Sequence, residues 1–265
     1  MKQRMSSEFI FQLFALLIAI IVVHALYVGA IRPSADAELQ QQIERQASGE
    51  DFVPERSLAV VVRDYEQEAC FILLIWALAI MGYKGRRTMS EQGLLEQPLL
   101  DIPEGTSVLP EDAREHSRAL EALPAQEQDF LLPRTLLSAL QRFATTGSIQ
   151  AVSDTIKENC EVESDRLDSE MSMVRYIAWA IPSIGFIGTV RGIGDALGQA
   201  YKAVEGDISG VTASLGTAFN STFVALVLSI IIMFCLHQLQ LSQERLVMDC
   251  QRYADKRLLR FMVAH

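Results

Sequence analysis

The amino-acid sequence predicts an all-α integral membrane protein with four transmembrane helices, of which the last two extend into the cytoplasm as long helices. Half of the 265 residues are hydrophobic while 21% are charged, so the apolar residues must be grouped in blocks between polar segments. Short groups of basic residues flank these blocks, as they do in multi-pass membrane proteins. The net charge of −10 argues against nucleic acid as a partner, because phosphate binding needs clustered Lys and Arg.

The first predicted element is a transmembrane helix over Phe9–Ile31, preceded by the basic residues Lys2 and Arg4. Its roughly 23 mostly apolar residues cover about 34 Å, which is enough for a hydrocarbon core of about 30 Å. A signal peptide is the alternative interpretation, since the sequence around His24 resembles a cleavage site. The apolar run is longer than the usual core of a signal peptide, and this favours a retained span.

Residues 32–68 are polar and are predicted to form an external loop with a short helix over 37–46. The N-terminal span and the start of this loop define a first region over 1–56. The remaining residues, 57–265, are predicted to form a core with three further spans.

The second predicted span covers residues 69–83 and is only about 22 Å long, so on length alone it resembles a buried helix of a soluble protein. The flanking residues favour a span, because Lys84, Arg86 and Arg87 follow directly. An excess of positive charge beside one end of a span marks that end as cytoplasmic. The N-terminus, one crossing earlier, is then also cytoplasmic.

Residues 84–175 form the predicted cytoplasmic region, and the first third, rich in proline and acidic residues, is expected to be an irregular link. Pro133 near the start and Gly147 just past the end bracket a helix. Ser148 opens a longer helix whose apolar residues recur mostly at spacings of three and four, with a break near Glu163. No helix breaker separates it from the next span, so one continuous helix is expected.

The third predicted span covers residues 176–196, and a short external turn over 198–211 leads to the fourth span over 212–237. Apolar residues continue at helical spacing in the tail, so residues 238–265 are predicted to extend the fourth span as a cytoplasmic helix. The basic residues of this tail indicate a cytoplasmic C-terminus.

The third span is rich in glycine, which weakens a soluble helix but lets transmembrane helices approach at backbone distance. Two small-xxx-small pairs occur, Gly188 with Gly192 and Gly194 with Gly198, and in so glycine-rich a stretch both could arise by chance. The residues predicted to pack helices closely are Gly185, Gly188, Gly192, Ser221 and Ala225.

Two threonines are predicted to lie at a similar depth in the last two spans. Thr189 is about 20 Å above the inner end of the third span, and Thr222 is about 13 Å below the outer face, so they are level to within about one helical turn. Their hydroxyls could line one lumen at one height. The competing interpretation is that these hydroxyls only join helices by hydrogen bonds, a common use of Ser and Thr in membranes.

A threonine hydroxyl has no titratable group at physiological pH, so an ion path needs another residue that titrates. Within the predicted spans only Asp195 near the outer edge and His24 and His237 near span ends qualify, and no carboxylate is expected at mid-depth. An acidic residue from another polypeptide would have to complete the site. The four cysteines are too scattered for a metal site, and no cofactor is expected.

Arg191 and Asp195 are four residues apart on the third span and are predicted to pair. In the simpler interpretation the pair only neutralises an arginine in the membrane. Alternatively, Arg191 faces the lumen and lowers the pKa of a partner carboxylate held near the threonines.

Two segments resemble the MotA/TolQ/ExbB proton-channel family. Residues 181–194, IPSIGFIGTVRGIG, are similar to its APxxGLxGTVxGI segment, and residues 218–231 are similar, more loosely, to its ATAxGLxxAIP segment. The family glycine after the second threonine is Ala225 here, and the family proline is Ile231. The resemblance covers Ser57 to the C-terminus and is closest to ExbB and TolQ, so the N-terminal span is an addition.

The resemblance implies that Thr189 and Thr222 line an ion path. It implies a homopentamer of this chain around two copies of a single-span ExbD/TolR/MotB-like subunit, whose membrane Asp carries the ion. The assembly would be a motor stator in the bacterial inner membrane, driven by the proton motive force. Outer-membrane or protein transport, envelope maintenance, motility, gliding and defence are all uses of this family.

Two other classes of function compete with an energy converter. A structural or sensory four-span protein would use its Ser and Thr residues for packing and bind a partner through its cytoplasmic loop. An enzyme is disfavoured, because the sequence contains no nucleophile paired with a base, no metal-ligand spacing and no phosphate loop.

Overall fold

A computed structural model of the chain describes residues 2–47, 57–100, 102–103 and 105–263. In these residues the secondary structure is helical, apart from one isolated bridge between Val108 and Met262. Four helical stretches, some made of consecutive helices, are long and apolar enough to cross a membrane: Glu8–Gln42, Tyr65–Leu95, Ile149–Gly198 and Ser209–Phe261, of which the last two are the longest. These findings confirm the predicted fold class.

The helices are α1 (Lys2–Leu26), a π-helical turn (Tyr27–Ile31), α2 (Arg32–Ala47), α3 (Leu58–Val61), α4 (Tyr65–Leu95), α5 (Ala113–Glu121), α6 (Ala125–Gln128), α7 (Leu131–Thr146), α8 (Ile149–Glu170), α9 (Ser172–Gly198), α10 (Ala200–Val204), α11 (Ser209–Arg257) and a final 3-10 turn (Leu259–Phe261). They divide into two compact units. The first, called the membrane unit, comprises residues 1–81 and 173–236, and the second, called the extension unit, comprises 82–172 and 237–265.

The N-terminal helix continues past the end of the predicted first span. The π-helical turn joins α1 directly to α2, so residues 32–47 are helical, whereas a loop with a helix only over 37–46 was expected. Pro33 explains the turn, because proline removes one amide donor from the helical ladder and a wider turn accommodates the loss. Residues 48–56 of the predicted loop lie outside the described residues.

The helix that contains the second predicted span is about twice as long as its apolar run. It covers 31 residues, about 46 Å at about 1.5 Å per residue, so residues 88–95 are helical and not part of an irregular link. Its first turn, with Glu66 and Glu68, also belongs to the helix rather than to the loop. Hydropathy detects only the apolar part of this helix, because the residues at both ends are polar. The partners that hold these polar residues are distant in sequence, so the sequence does not reveal them.

The extension unit has an apolar core formed by several short helices and the end of α11. The core includes Leu120, Leu136, Phe143, Ile156 and Leu258, each at most 1% exposed. The helix boundaries follow the predicted signals. Gly147 ends α7 with a left-handed φ of 61°, and the Ser148 hydroxyl caps α8 by accepting a hydrogen bond from the Ala151 amide.

The expected continuous helix from Ser148 into the third span is interrupted once. α8 ends at Glu170 and α9 begins at Ser172, and the Met171 amide donates to the Asp168 carbonyl three residues back. A single tightened turn of this kind carries no proline or glycine signature. The last span continues without interruption, because α11 runs for 49 residues.

Candidate ion path in the membrane unit

The glycines of α9 let its backbone contact α11. A Cβ atom on Gly185 would clash with the Ala225 Cβ, and one on Gly188 would lie 2.5 Å from the Ser221 Cβ. A Cβ on Gly192 would lie 2.7 Å from the Ala218 Cβ. The structure thus brings all five residues expected in close packing to one interface. By contrast, Gly194 and Gly198 have no atom of the described residues within 4 Å of a built Cβ.

This close approach joins the two threonines that the sequence analysis selected. The Thr189 and Thr222 hydroxyls are hydrogen-bonded to each other. Thr189 Oγ1 also lies 3.1 Å from the Ala218 carbonyl oxygen, and Thr222 Oγ1 lies 3.1 Å from that of Gly185. Both side chains are half-buried, so one side of the pair faces the outside of the protomer.

Hydrogen-bond accounting shows what the pair can bind. The two hydroxyls have two protons, and one is used in the mutual bond while the other reaches a backbone carbonyl. Four oxygen lone pairs are available and the mutual bond uses one. The pair therefore has spare acceptor positions and no spare donor, which suits a protonated group or a cation.

Helix α4 contributes a third wall that the sequence analysis missed. The Cγ atom of Glu66 lies 3.2 Å from the position of a Cβ on Gly188. The neighbouring Gln67 is fully buried, and its Nε2 lies 3.5 Å from the Ser221 hydroxyl oxygen. Glu66 and Gln67 lie in the three residues before the apolar run of residues 69–83. That run is short for a membrane span, and this shortness is the sequence signal that the polar first turn of α4 belongs to the span.

Arg191 has a different partner from the predicted one. Its Nε and Nη2 donate to the two carboxylate oxygens of Glu66 at 2.7 and 2.8 Å, which is a bidentate pair between α9 and α4. Both of these hydrogen bonds go to Glu66 on α4, whereas the sequence analysis considered Asp195, one turn away on α9, as the partner. The paired charges also cancel, which weakens any field of Arg191 at the threonines.

A second carboxylate, which the sequence analysis placed in the external loop, is buried against the N-terminal helix. Glu68 is only 6% exposed, and its oxygens contact His24 Nδ1 at 2.7 Å and the Arg32 guanidinium. His24 lies near the outer end of the first predicted span, so Glu68 lies beside that end. Arg32 also stacks over the ring of Tyr65, with 4.2 Å to the centroid. These contacts attach the N-terminal helix to α4.

The titratable side chains of the described residues were compared with the requirements of a metal site. No group of three or more His, Cys, Asp or Glu side chains that could hold a metal ion occurs in the described part of the chain. Asp64, just before α4, has a raised pKa because burial disfavours its charged form. The predicted residue His237 belongs to the extension unit. The hydrogen bond between Thr189 and Thr222 joins the last two spans directly, and Glu66 and Gln67 of α4 contact the neighbouring residues Gly188 and Ser221.

These observations define a class. The chain is a multi-pass helical membrane protein in which hydroxyl and carboxylate side chains are collected at contacts between spans. The family model described as the MotA/TolQ/ExbB proton channel family matches residues 127–252, so this region of the chain is similar to that family, in agreement with the resemblance seen in the sequence. This is a proton-channel family rather than an enzyme family. Comparison with curated proteins and with solved structures gave no significant match.

Proposed function

We propose that this chain is the channel-forming subunit of an ion-driven motor in the bacterial inner membrane, with Thr189 and Thr222 lining the path of a proton. The hydroxyl pair is the observation that carries this proposal. It is polar, half-exposed and held in a span that is otherwise apolar, where an unused polar group is expensive.

The mechanism follows from the acceptor positions of the pair. A hydroxyl cannot hold a proton at physiological pH, but it can accept a hydrogen bond from a protonated carboxyl group. The carboxyl group comes from the membrane Asp of a single-span partner, as in the family that the sequence resembles. The pair stabilises the protonated state, and release of the proton to the other side leaves a charged carboxylate that the pair cannot solvate as well. Such an alternation can drive movement of one subunit against the other.

A homopentamer of this chain around two partner subunits is the assembly that we propose. Large apolar side chains on the same helices as the threonines are exposed in the single protomer, among them Phe186, Ile187 and Phe223 at 60–65%. Lipid, neighbouring protomers and the partner span have to cover this surface. The basic residues Lys84, Arg86 and Arg87 support cytoplasmic N- and C-termini.

Co-purification is the first test. The chain is isolated from its native membrane in mild detergent, and the proposal expects a homo-oligomer that retains a small single-span subunit with an Asp in its span. The extracytoplasmic domain of that subunit would identify the process driven, for example protein transport. A monodisperse protomer without such a subunit would favour a non-conducting structural or sensory protein.

The second test is ion flux. In vesicles from cells that produce both subunits, Thr189→Val and Thr222→Val each should abolish flux and leave the oligomer intact, because each change keeps the volume and removes the hydroxyl. Thr212→Val is the matched control, since its hydroxyl donates only to backbone carbonyls at the start of α11. Normal flux in the double variant would contradict the proposal.

A further inference from the structure

A groove in the extension unit lies between the C-terminal ends of α4 and α11. Its volume is about 250 Å³, and the half-buried side chains of Leu95 and Tyr253 form its apolar wall. The Tyr253 hydroxyl accepts from the Leu99 amide at 3.0 Å and donates to the Gln97 carbonyl at 3.2 Å, so the ring is held in place. Pockets for small organic ligands usually have about 300–1,000 Å³. The groove therefore suits side chains of a protein surface better than an organic ligand.

Basic side chains dominate the charged rim of this groove. Arg252 is balanced by Asp249, with Nη1 and Oδ1 2.7 Å apart. Lys256 and Arg257 are exposed, and neither forms an ion pair with a residue that the structure describes. They outnumber the other acidic residue of the rim, Glu96. The rim has an excess of positive charge and would attract acidic groups.

Lipid phosphate is an anion that basic residues near the cytoplasmic face of a membrane often bind. About 28 Å of continuous helix separates Lys256 from residue 237, the predicted inner end of the fourth span. Attraction to a charged membrane surface falls off within a Debye length, which is about 8–10 Å at physiological salt. The acidic ligand of the groove is therefore a protein surface.

Helix α8 carries a complementary surface, called the acidic stripe, which comprises Glu158, Glu161 and Asp165. Spacings of three and four place these residues on one face, and all three are exposed. None of them forms an ion pair with a described residue, and one lysine, Lys157, borders them. Like charges at these spacings weaken a helix, so a cationic surface over the stripe would stabilise it. The neighbouring Val162 is 60% exposed and adds an apolar contact.

We propose that the groove of one copy of this chain binds the acidic stripe of a neighbouring copy. Glu158 and Asp165 then pair with Lys256 and Arg257, while Val162 packs against the apolar wall of the groove. This inference rests on the proposed homo-oligomer and adds the surface through which its extension units contact. Every copy carries both surfaces, and a contact between two different surfaces can close into a ring.

The first test is crosslinking of the purified complex with a carbodiimide, which joins an amine and a carboxylate in direct contact. We expect two joined chains on a denaturing gel, and mass spectrometry should find Lys256 linked to Glu158, Glu161 or Asp165. Lys256→Arg is the matched control, because it keeps the charge and removes the reactive amine, so this link should disappear. A link of Lys256 to the stripe of its own chain, to the small partner subunit, or to no carboxylate would overturn the proposal.

The second test is reversal of the charges. Lys256→Glu combined with Arg257→Glu should raise the dissociation constant of the oligomer in mild detergent by about tenfold, because two attractive pairs become repulsive. Adding Glu158→Lys and Asp165→Lys should restore most of the affinity, since the two surfaces are again complementary with opposite signs. Without such recovery, the two cations would act only on the C-terminal end of α11, and the proposal would be wrong.

Arg114→Glu combined with Arg118→Glu is the control for net charge. Both arginines are exposed on α5 and lie outside the groove, so the dissociation constant should not change. Equal weakening by both pairs of changes would contradict a specific contact. The two proposals fail differently: an unchanged chain that is monomeric refutes the homo-oligomer itself, whereas an intact oligomer in which Lys256 has no link to a neighbouring stripe refutes only this contact.

Discussion

The membrane unit and the extension unit differ in how they cover their apolar side chains. In the extension unit, Leu136, Leu140 and Phe143 are fully buried by residues of the same unit. In the membrane unit, Phe14, Phe186 and other large apolar residues are 58–65% exposed along the spans. The extension unit has a core of its own, whereas the membrane unit depends on lipid and other chains for most of its apolar surface.

The two units also use different interactions inside. The extension unit buries Glu163 at 2% exposure between the guanidinium groups of Arg134 and Arg166, at 2.7 and 2.5 Å. The membrane unit joins α9 to α11 by glycine contacts and hydroxyl bonds to backbone carbonyls. In lipid there is no hydrophobic driving force between helices, so close packing and hydrogen bonds hold the helices together. Steric changes should therefore damage the membrane unit most, and charge changes the extension unit.

The largest effect is expected from Gly188→Leu. The new side chain would meet Ser221 within 2.7 Å, so α9 and α11 would have to separate and the threonine pair would be lost. We expect a destabilisation of at least about 3 kcal/mol and no ion flux. Thermal unfolding in detergent and vesicle flux measure these losses.

Gly194→Leu is the control for that change, because a Cβ there has nothing within 4 Å in the described protomer. Its unfolding temperature should stay close to that of the unchanged chain. Equal damage from both glycines would mean that loss of helix propensity, and not contact with α11, determines the effect.

The glycine pattern illustrates what the sequence could predict. Composition and spacing gave the four spans, the helix ends at Gly147 and Ser148, and the two threonines that the structure joins. They did not distinguish Gly188, which contacts α11, from Gly194, which has open space, because both lie in small-xxx-small pairs. That choice depends on which face of α9 meets another helix, which spacing within one helix cannot tell.

The missed residues share one cause. Polarity alone places Glu66, Gln67 and Glu68 in an external loop, and hydropathy starts the second span at the first apolar residue, whereas α4 begins at Tyr65. Their partners lie far away in sequence, on α1, α9 and α11. A polar residue inside a membrane needs a polar partner. The sequence does not show which distant residues are partners, so it cannot predict that these polar residues lie inside the span.

An intermediate effect is expected from Glu163→Gln in the extension unit. Removing the charge takes the Glu163 carboxylate from Arg134 and leaves Arg166 with Glu170 at 3.8 Å. The side chains of Arg134 and Arg166 are 40% and 33% exposed, so water compensates part of the loss. We expect a destabilisation of about 1–3 kcal/mol, measured by thermal unfolding. Glu161→Gln, on an exposed position of the same helix, should change stability by less than about 0.5 kcal/mol. A neutral Glu163→Gln would show that the buried pair contributes nothing to this unit.

The smallest effect is expected at the bidentate ion pair between Arg191 and Glu66, and the two single changes should differ in size. Arg191→Gln leaves Glu66, with a side chain only 12% exposed, without its partner. Glu66→Gln leaves Arg191, which is 43% exposed and can reach water or a headgroup. Arg191→Gln should therefore be the more damaging single change, and the double variant should recover most of its loss. A coupling of up to about 1 kcal/mol is expected for so exposed a pair, read from unfolding of the four proteins of the cycle.

Asp195→Asn tests whether that coupling belongs to Glu66. The sequence pairs Arg191 with Asp195 by spacing, whereas the structure gives both guanidinium contacts to Glu66. Asp195→Asn combined with Arg191→Gln should therefore recover nothing. If it does recover the loss and Glu66→Gln does not, the local pair is the real one, and α4 is not joined to α9 by charge.

The pH dependence of flux gives a second test. Because Glu66 balances the charge of Arg191, Arg191→Gln should leave the pH profile of flux unchanged. A shift toward higher pH in Arg191→Gln would mean that the arginine acts on a partner carboxylate despite Glu66.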